Sequence, residues 1–265
     1  LCSFLSFPRW FPRFFRKDTK RTAASIRGLI TQRTEERMQA IQAGEAPDDL
    51  ATKIMTTVDP ETGKAFDTKE MVDQVAIFFL AGHETSASAL AWTLYLCALF
   101  PEWQERIAEE AADLTEDFSA VSKLKISRDV FREALRLYPP VPMMVREATC
   151  PEHFRDRDIA KGSQVVISPW HLHRQERLWD NPDGFDPMRW QTANGKQCMR
   201  EAYVPFSAGS RVCTGAGFAM VEGVLMLSMI LKHFRITPVG DAPVPIAHLT
   251  VRSRDGINLR LERRN

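Results

Sequence analysis

The spacing of apolar residues divides the chain into a helical part and a mixed part. Up to about residue 140, apolar side chains recur at helical spacing; beyond it, short apolar runs alternate with turns. The longest helical pattern runs from Thr68 to Phe100, and Asp67 with Glu70 forms a capping-box signature at its start. Another apolar helix is predicted over Ala216–Phe234. The chain is therefore predicted to be mainly α with small β-sheets, an α+β fold.

Glycine, proline and polar runs separate the shorter predicted elements. Helices are predicted over Thr19–Ala43, Asp48–Thr57, Pro101–Leu114, Ser127–Tyr138 and within Trp170–Trp179. Strands are predicted in Val141–Ala148, at Ile159, in Val165–Ser168, and as a closing pair in Val251–Leu261 around a turn at Asp255-Gly256. Gln191–Tyr203 is expected to be a polar connection with a turn at Asn194-Gly195.

Composition restricts the class of protein. The 265 residues include 44% hydrophobic and 26% charged residues, as in ordinary globular domains, and one domain over residues 1–265 is expected. The net charge of +1 argues against a nucleic-acid partner. Five scattered cysteines without CxxC spacing suit a reducing compartment and argue against a disulfide framework or zinc site. No apolar run of about 18 residues lacks a charge or strongly polar group, so no membrane-spanning helix is predicted.

The amino-terminal stretch has two open interpretations. Residues 1–27 interleave aromatic and basic side chains, which suits either contact with a membrane surface or a connection whose aromatic residues pack on the body. The chain begins at Leu1 rather than Met, so we expect an amino-terminal portion to be missing. A cytoplasmic location is expected, with a membrane anchor before residue 1 as the alternative.

The loop from Phe206 to Gly215 has the strongest chemical signal. Cys213 lies in it just before the predicted last helix. Amide groups and the helix dipole at a helix start stabilise a thiolate, and Arg211 adds a cation suited to a carboxylate. The loop is therefore expected to hold a thiolate against a group that has acidic substituents.

The long helix has a second unusual stretch near its middle. Ala81 and Gly82 are small enough for another group to approach the backbone, and Glu84 and Thr85 are polar within an apolar segment. Ala81 and Thr85 are four residues apart and share one helix face. Alternatively, Glu84 faces solvent and Thr85 bonds back to a carbonyl of the preceding turn.

Glu133 and Arg136 are three residues apart on one predicted helix, so their side chains are neighbours. Such a pair is usually an exposed ion pair of little energetic value. If it is buried, it requires further partners, because an unbalanced buried charge is costly.

Four separated motifs occur in one order along the chain. They are Ala81-Gly82-His83-Glu84-Thr85, Glu133-Ala134-Leu135-Arg136, Phe185-Asp186-Pro187-Met188-Arg189-Trp190, and Phe206-x-x-Gly209-x-Arg211-x-Cys213-x-Gly215. Together they resemble the cytochrome P450 family of haem-thiolate enzymes, from about residue 8 to the carboxyl terminus. The resemblance implies a cytochrome P450 fold that is incomplete at its amino terminus.

The resemblance also implies a cofactor, haem b, with the Cys213 thiolate as axial ligand of the iron. Arg211 and Arg146 are the implied partners of the haem propionates, and Phe206 belongs to the same cofactor-binding loop. Ala81 and Gly82 are the implied bend where oxygen sits beside the long helix.

Two further groups follow from the resemblance. Glu84 and Thr85 are the implied acid–alcohol pair that delivers protons to oxygen. Glu133, Arg136 and Arg189 are implied to form a buried structural cluster that pins the core on the cysteine side. His171 and His173 are expected to be hydrogen-bonded structural histidines rather than metal ligands.

The implied reaction inserts one atom of O2 into a small apolar organic substrate. The second oxygen atom leaves as water, and a separate ferredoxin or flavoprotein reductase supplies the electrons. Two other classes stay open: a haem-thiolate protein that does not oxygenate, such as a sensor or isomerase, and an inactive truncated chain that acts as a scaffold. Retention of Glu84 and Thr85 argues against the first of these.

Overall fold

The computed structural model describes residues 17–115 and 117–264. The basic and aromatic stretch before Lys17 lies outside these residues. The helices are α1 (Lys17–Ala43), α2 (Leu50–Thr56), α3 (Thr68–Leu99), α4 (Pro101–Glu110), α5 (Lys125–Leu137), α6 (Pro169–Leu172), α7 (Ala193–Glu201) and α8 (Ala216–His233). The strands are β1 (Met144–Glu147), β2 (Glu152–Phe154), β3 (Arg157–Ile159), β4 (Gln164–Ile167), β5 (Phe234–Pro238), β6 (Pro245–Ala247), β7 (Val251–Ser253) and β8 (Leu259–Arg263). Short 3-10 helices occupy Phe118–Lys123, Pro187–Gln191 and Gly209–Arg211.

The chain divides into two compact units, residues 1–83 and 84–265. In the first unit, Asp49 caps α2 by accepting a hydrogen bond from the Thr52 amide at 2.9 Å. The same carboxylate pairs with Arg37 of α1 at 2.7 Å, and this hydrogen bond is the main reason why the pKa of Asp49 falls to about 2. One side chain therefore both starts α2 and ties it to α1.

The start of α3 has the predicted capping box. The Asp67 carboxylate accepts from the Glu70 amide at 2.7 Å, and the Glu70 carboxylate accepts from the Asp67 amide at 3.0 Å. Two amides that have no partner within the helix are thereby satisfied. The predicted helix is confirmed to within one residue, since it ends at Leu99.

The core of the second unit lies where α3, α4, α5, α8 and β5 meet. Apolar positions on one face of each helix supply it, which is the expected outcome of helical spacing. α8 approaches α5 closely at Gly223, where an added Cβ would lie 2.2 Å from Cζ of Phe131. Fully or almost fully buried members of this core are Cys97, Ile107, Val130, Phe131, Leu227, Leu231 and Ile236.

By length and composition, α8 is long and apolar enough to cross a membrane. Among the described residues, it is the one helix with this property. Our sequence criterion did not select it because Glu222 and Lys232 interrupt the apolar run. Its residues Val224, Leu227 and Leu231 are buried in the core just described. The same apolar composition therefore serves packing inside the second unit.

The strands form four two-stranded antiparallel sheets, β1–β4, β2–β3, β5–β8 and β6–β7. The predicted closing pair is wrong: Val251–Ser253 pairs with Pro245–Ala247, and Leu259–Arg263 pairs with the strand after α8. Residues 193–201 form a helix rather than the predicted turn, because Thr192 caps it by accepting from the Gly195 amide at 3.0 Å. A local turn signal at Asn194-Gly195 was thus overridden by a capping residue just before it.

Candidate functional site

The cysteine loop is closed by one backbone hydrogen bond. The Cys213 amide donates to the Phe206 carbonyl at 2.8 Å, and α8 starts three residues after the cysteine. The loop needs left-handed backbone at Gly209, with φ +69°, and at Ser207, with φ +65°. Glycine adopts this conformation freely, whereas serine adopts it only when its surroundings hold it there.

The thiol of Cys213 is exposed. Among the other described cysteines, desolvation by burial raises the pKa of the Cys97 thiol, and a hydrogen bond to Glu152, at 3.2 Å, raises that of the exposed Cys150 thiol. Among the residues that the structure describes, no group of three or more His, Cys, Asp and Glu could hold a metal ion.

Two arginines belong to the same loop region. Arg146 on β1 donates to Oγ of Ser207 at 2.8 Å, which brings this strand to the loop and helps to hold the left-handed serine. Arg211 is exposed, and within residues 17–115 and 117–264 no carboxylate forms an ion pair with it. An exposed cation two residues before the exposed Cys213 in sequence is thus available to an anionic ligand.

Glu84 and Thr85 are half-buried at the start of the second unit, where α3 continues. The Glu84 carboxylate accepts a hydrogen bond of 2.6 Å from the hydroxyl of Thr250, a residue that is 3% exposed. One turn along α3, the Ser88 hydroxyl donates to the carbonyl of Val251. Glu84 is therefore fixed by a tertiary partner, and the simple solvent-facing alternative does not describe it.

Ala81 and Gly82 lie in the first unit. Ala81 is exposed and Gly82 is half-buried. A Cβ built at Gly82 would meet nothing within 4 Å among the described atoms. Gly82 thus leaves room beside the helix backbone at this point.

Glu133, Arg136 and Arg189 form a buried ion cluster. The side chains are 0%, 0% and 4% exposed. Arg136 binds both carboxylate oxygens of Glu133, with Nε at 2.9 Å and Nη2 at 2.8 Å, and Nε of Arg189 lies 3.2 Å from one of them. The Asp186 amide adds a fourth hydrogen bond, at 3.1 Å.

The remaining donors of the two arginines bind backbone carbonyls of one segment, residues 173–184. Arg136 donates to the carbonyls of His173 at 2.8 Å and Gly184 at 2.9 Å, and also to that of Pro182. Arg189 donates to the carbonyl of Asn181 at 2.8 Å and to that of Asp180. Buried guanidinium groups are tolerated here because each has a charge partner and further acceptors.

Comparison with known proteins supplies the family. The family model for cytochrome P450 matches residues 1–259. Human cytochrome P450 4X1 is 35% identical over 243 residues, which are 86% of this chain and 48% of that protein. The cyclooctat-9-en-7-ol 5-monooxygenase of Streptomyces melanosporofaciens is 34% identical over 83% of this chain and 48% of its own length. The chain belongs to the cytochrome P450 family.

A solved structure agrees with this result. The crystal structure of the cytochrome P450DA heme domain superposes with a TM-score of 0.82 at 32% identity, covering 91% of this chain and 54% of that one. The predicted P450 fold is thus confirmed. This P450 chain spans about half the length of the curated relatives it matches.

The residues of this P450 chain fit a haem on their own chemistry. An exposed thiol offers one axial bond, the exposed cation of Arg211 suits a propionate, and Arg146 is held at the same loop. Val212 and Phe218, which flank the thiol in sequence, are 52% and 57% exposed and present apolar surface. A flat apolar ring with two carboxylates matches this set of groups.

Sequence reasoning missed Thr250 as the hydrogen-bond partner of Glu84. It lies 166 positions after Glu84, and no local motif marks it. The only signal available was its place just before a predicted strand, which does not reveal a hydroxyl partner.

Proposed function

We propose that this P450 protein is a haem-thiolate monooxygenase that inserts one atom of O2 into a small apolar organic substrate. The observation that supports it most is the exposed thiol of Cys213, in a closed loop directly before α8, with Arg211 unpaired by any carboxylate among the described residues. Family membership supports the same activity, and the relative from Streptomyces is named as a monooxygenase.

Cys213, Arg211 and Arg146 would hold the haem, with Phe206 closing the loop behind the thiol. When bound, haem with a thiolate ligand supplies oxygen activation, since electron density from sulfur favours cleavage of the O–O bond. The hydrogen bond from the Cys213 amide to the Phe206 carbonyl would hold the backbone from which the thiol extends. The two arginines would orient the ring by neutralising its carboxylates.

Glu84 and Thr85 would move protons toward the oxygen side. A carboxylate and a hydroxyl on adjacent residues can accept and release protons in sequence. The Thr250 hydroxyl holds Glu84 Oε1 at 2.6 Å, which limits the orientations of the acid. Ala81 and Gly82, one turn earlier, would leave space for O2 beside the helix.

Glu133, Arg136 and Arg189 would serve structure. Their hydrogen bonds tie α5 to residues 173–184 and do not involve the thiol. A separate ferredoxin or flavoprotein reductase would donate electrons in the cytoplasm, and the reducing surroundings suit the free cysteines. A small apolar substrate is in keeping with the hydrocarbon skeleton in the name of the Streptomyces relative.

The cofactor part of the proposal is tested by spectroscopy. The haem-loaded protein is reduced under carbon monoxide, and a strongly red-shifted Soret band is expected from thiolate ligation. Cys213→Ser should lose that band, whereas Cys150→Ser, at another exposed thiol, should keep it. Absence of the band in the unaltered protein would refute the function.

The proton-delivery part is tested by coupling, which is the share of consumed O2 that forms product rather than peroxide. Thr85→Ala should raise the peroxide formed per O2 consumed, in the presence of a turned-over apolar substrate, because protons reach oxygen less well. Ser86→Ala is the matched control, since it removes a half-buried hydroxyl from the next residue of the same helix. Equal coupling in both variants would remove Thr85 from the proton path.

A further inference from the structure

His173 is a buried histidine that the proposed function does not use. It follows the short helix α6 and is 0% exposed. Its ring lies between Tyr203, at 5.3 Å between ring centroids, and Trp179, at 6.3 Å. A fully buried imidazole requires partners for both ring nitrogens, because an unsatisfied polar atom in the interior is costly.

The partners of the ring determine its protonation. The Val204 amide donates to Nε2 at 2.9 Å, so Nε2 has no proton. Nδ1 lies 3.2 Å from the carbonyl of Arg136, an acceptor, so Nδ1 holds the proton. Burial lowers the pKa of His173 to about 3, in agreement with a neutral ring. The imidazole is therefore a fixed bridge with one donor and one acceptor.

One end of this bridge is the buried ion cluster. Arg136 and His173 exchange hydrogen bonds: Nη1 of Arg136 donates to the His173 carbonyl at 2.8 Å, while the ring of His173 donates to the Arg136 carbonyl. This reciprocal pair holds the end of α5 and the end of α6 together. Since Arg136 is itself fixed by Glu133, the ring of His173 has a rigid support.

The other end of the bridge leads to the cysteine loop. The Val204 carbonyl accepts from the Ser207 amide at 3.2 Å, and this turn runs into the left-handed serine. The Phe206 carbonyl within the turn then accepts from the Cys213 amide at 2.8 Å. Val204 thus lies between Tyr203, whose amide and hydroxyl bind the carbonyls of Cys198 and Arg132, and the loop, and the ring of His173 holds its amide.

We propose that His173 is a positioning residue for the Cys213 thiolate, since its ring connects the buried ion cluster to Val204, two residues before the cysteine loop. The inference rests on the proposed haem-thiolate function. The positioning role requires a hydrogen-bond donor and a hydrogen-bond acceptor at position 173. A packing role would require only a ring that fills the space. An apolar ring of similar size leaves the Val204 amide and the Arg136 carbonyl without partners, which frees the entry to the loop.

Three variants separate positioning from packing. His173→Phe fills the space without hydrogen bonds, and His173→Gln keeps one donor and one acceptor. His173→Asn is too short to reach both partners and gives a second test if the Phe variant does not fold. His171→Phe is the matched control: it changes an exposed histidine two residues earlier, whose ring forms a hydrogen bond of 2.9 Å with the Ser168 hydroxyl.

The first measurement follows the red-shifted Soret band of the reduced, carbon monoxide-bound protein over time at a fixed temperature. Loss of the buried hydrogen bonds should accelerate its decay about tenfold in His173→Phe. His173→Gln should restore most of the lifetime, and His171→Phe should leave it unchanged. A slow decay in the Phe and Asn variants, equal to that of the unaltered protein, would overturn the inference while the proposed function stands.

The second measurement is hydrogen exchange of backbone amides. His173→Phe and His173→Asn should accelerate exchange in residues 204–213 more than in α5. Val130→Ala, a cavity in the core at a 0% exposed position of α5, supplies the comparison for general destabilisation. Equal acceleration of both regions in the His173 variants would overturn the positioning role. An unaltered protein without the red-shifted band would overturn the proposed function and this inference together.

Discussion

Replacing Glu133 by glutamine is the sharpest test of the buried cluster. Its carboxylate accepts four hydrogen bonds, two from Arg136, one from Arg189 and one from the Asp186 amide. Glutamine has nearly the same shape but no charge. One oxygen becomes an amide nitrogen, which can donate but faces donors. The change therefore removes the negative charge and at least one hydrogen bond while the volume stays constant.

The expected loss in unfolding free energy can be worked from these contacts. Both guanidinium groups are buried, at 0% and 4% side-chain exposure, and Glu133 is their ion-pair partner among the described residues. Removing one partner of a buried pair costs about 3–5 kcal/mol because the other charge remains in the interior. Typical domains have about 5–15 kcal/mol in total. Glu133→Gln should therefore remove a large share of the stability.

Urea denaturation followed by circular dichroism measures this loss as a shift of the midpoint at a similar slope. Glu105→Gln is the control, since Glu105 also pairs with two arginines, at 3.1 and 2.7 Å, but is 43% exposed. It should lose no more than about 1 kcal/mol. A Glu133→Gln loss as small as that of the control would refute the account of the cluster.

Three further predictions concern other contacts. The pKa of His173 is about 3 in the folded protein, below its ordinary value, so the unfolded chain binds the proton first as the pH falls. The unfolding free energy should therefore drop by about 1.4 kcal/mol per pH unit below about pH 6.5. In urea titrations, His173→Gln should lack this pH-dependent loss. Thr250→Val should release Glu84 and raise the amount of peroxide formed per O2 consumed, and Thr250→Ser should bring that amount back down. Equal peroxide formation in the two variants would show that the hydroxyl has no role in proton delivery. Gly223→Ala should lower the unfolding free energy by about 1–3 kcal/mol through overpacking and therefore lower the melting temperature, whereas Gly217→Ala, where an added Cβ would meet nothing within 4 Å, should not. Matching melting temperatures would contradict the close approach.

Elements whose determinants are local could be predicted from the sequence. The start of α3 follows from Asp67 and Glu70, which satisfy each other's amides, and its length follows from apolar spacing. The cysteine loop could be predicted for the same reason, because Gly209, Cys213 and the start of α8 lie within ten residues of one another. By contrast, the partners of β7 and β8 depend on strands that lie before the turn at Asp255-Gly256, so local alternation gave the strands but not their pairing.

The candidate site divides in the same way. Glu133 and Arg136 are neighbours on a helix, so their contact is visible in the spacing, but their burial is not. Glu84 is a clearer case, because its partner Thr250 lies on a segment that returns to α3 only in the folded chain. A hydroxyl has no sequence pattern that marks a distant carboxylate as its acceptor.

The hydrogen bonds of the cluster suggest why its second arginine can be distant in sequence. Arg136 and Arg189 share one carboxylate, and they also share the carbonyl of Gly184, at 2.9 and 3.3 Å. The backbone of the intervening chain is thus held by the two arginines, while its buried side chains His173 and Trp179, at 0% and 1% exposure, pack inside it. Since His173 begins this segment and its ring also binds Val204, the path that the arginines fix extends to the entry of the cysteine loop.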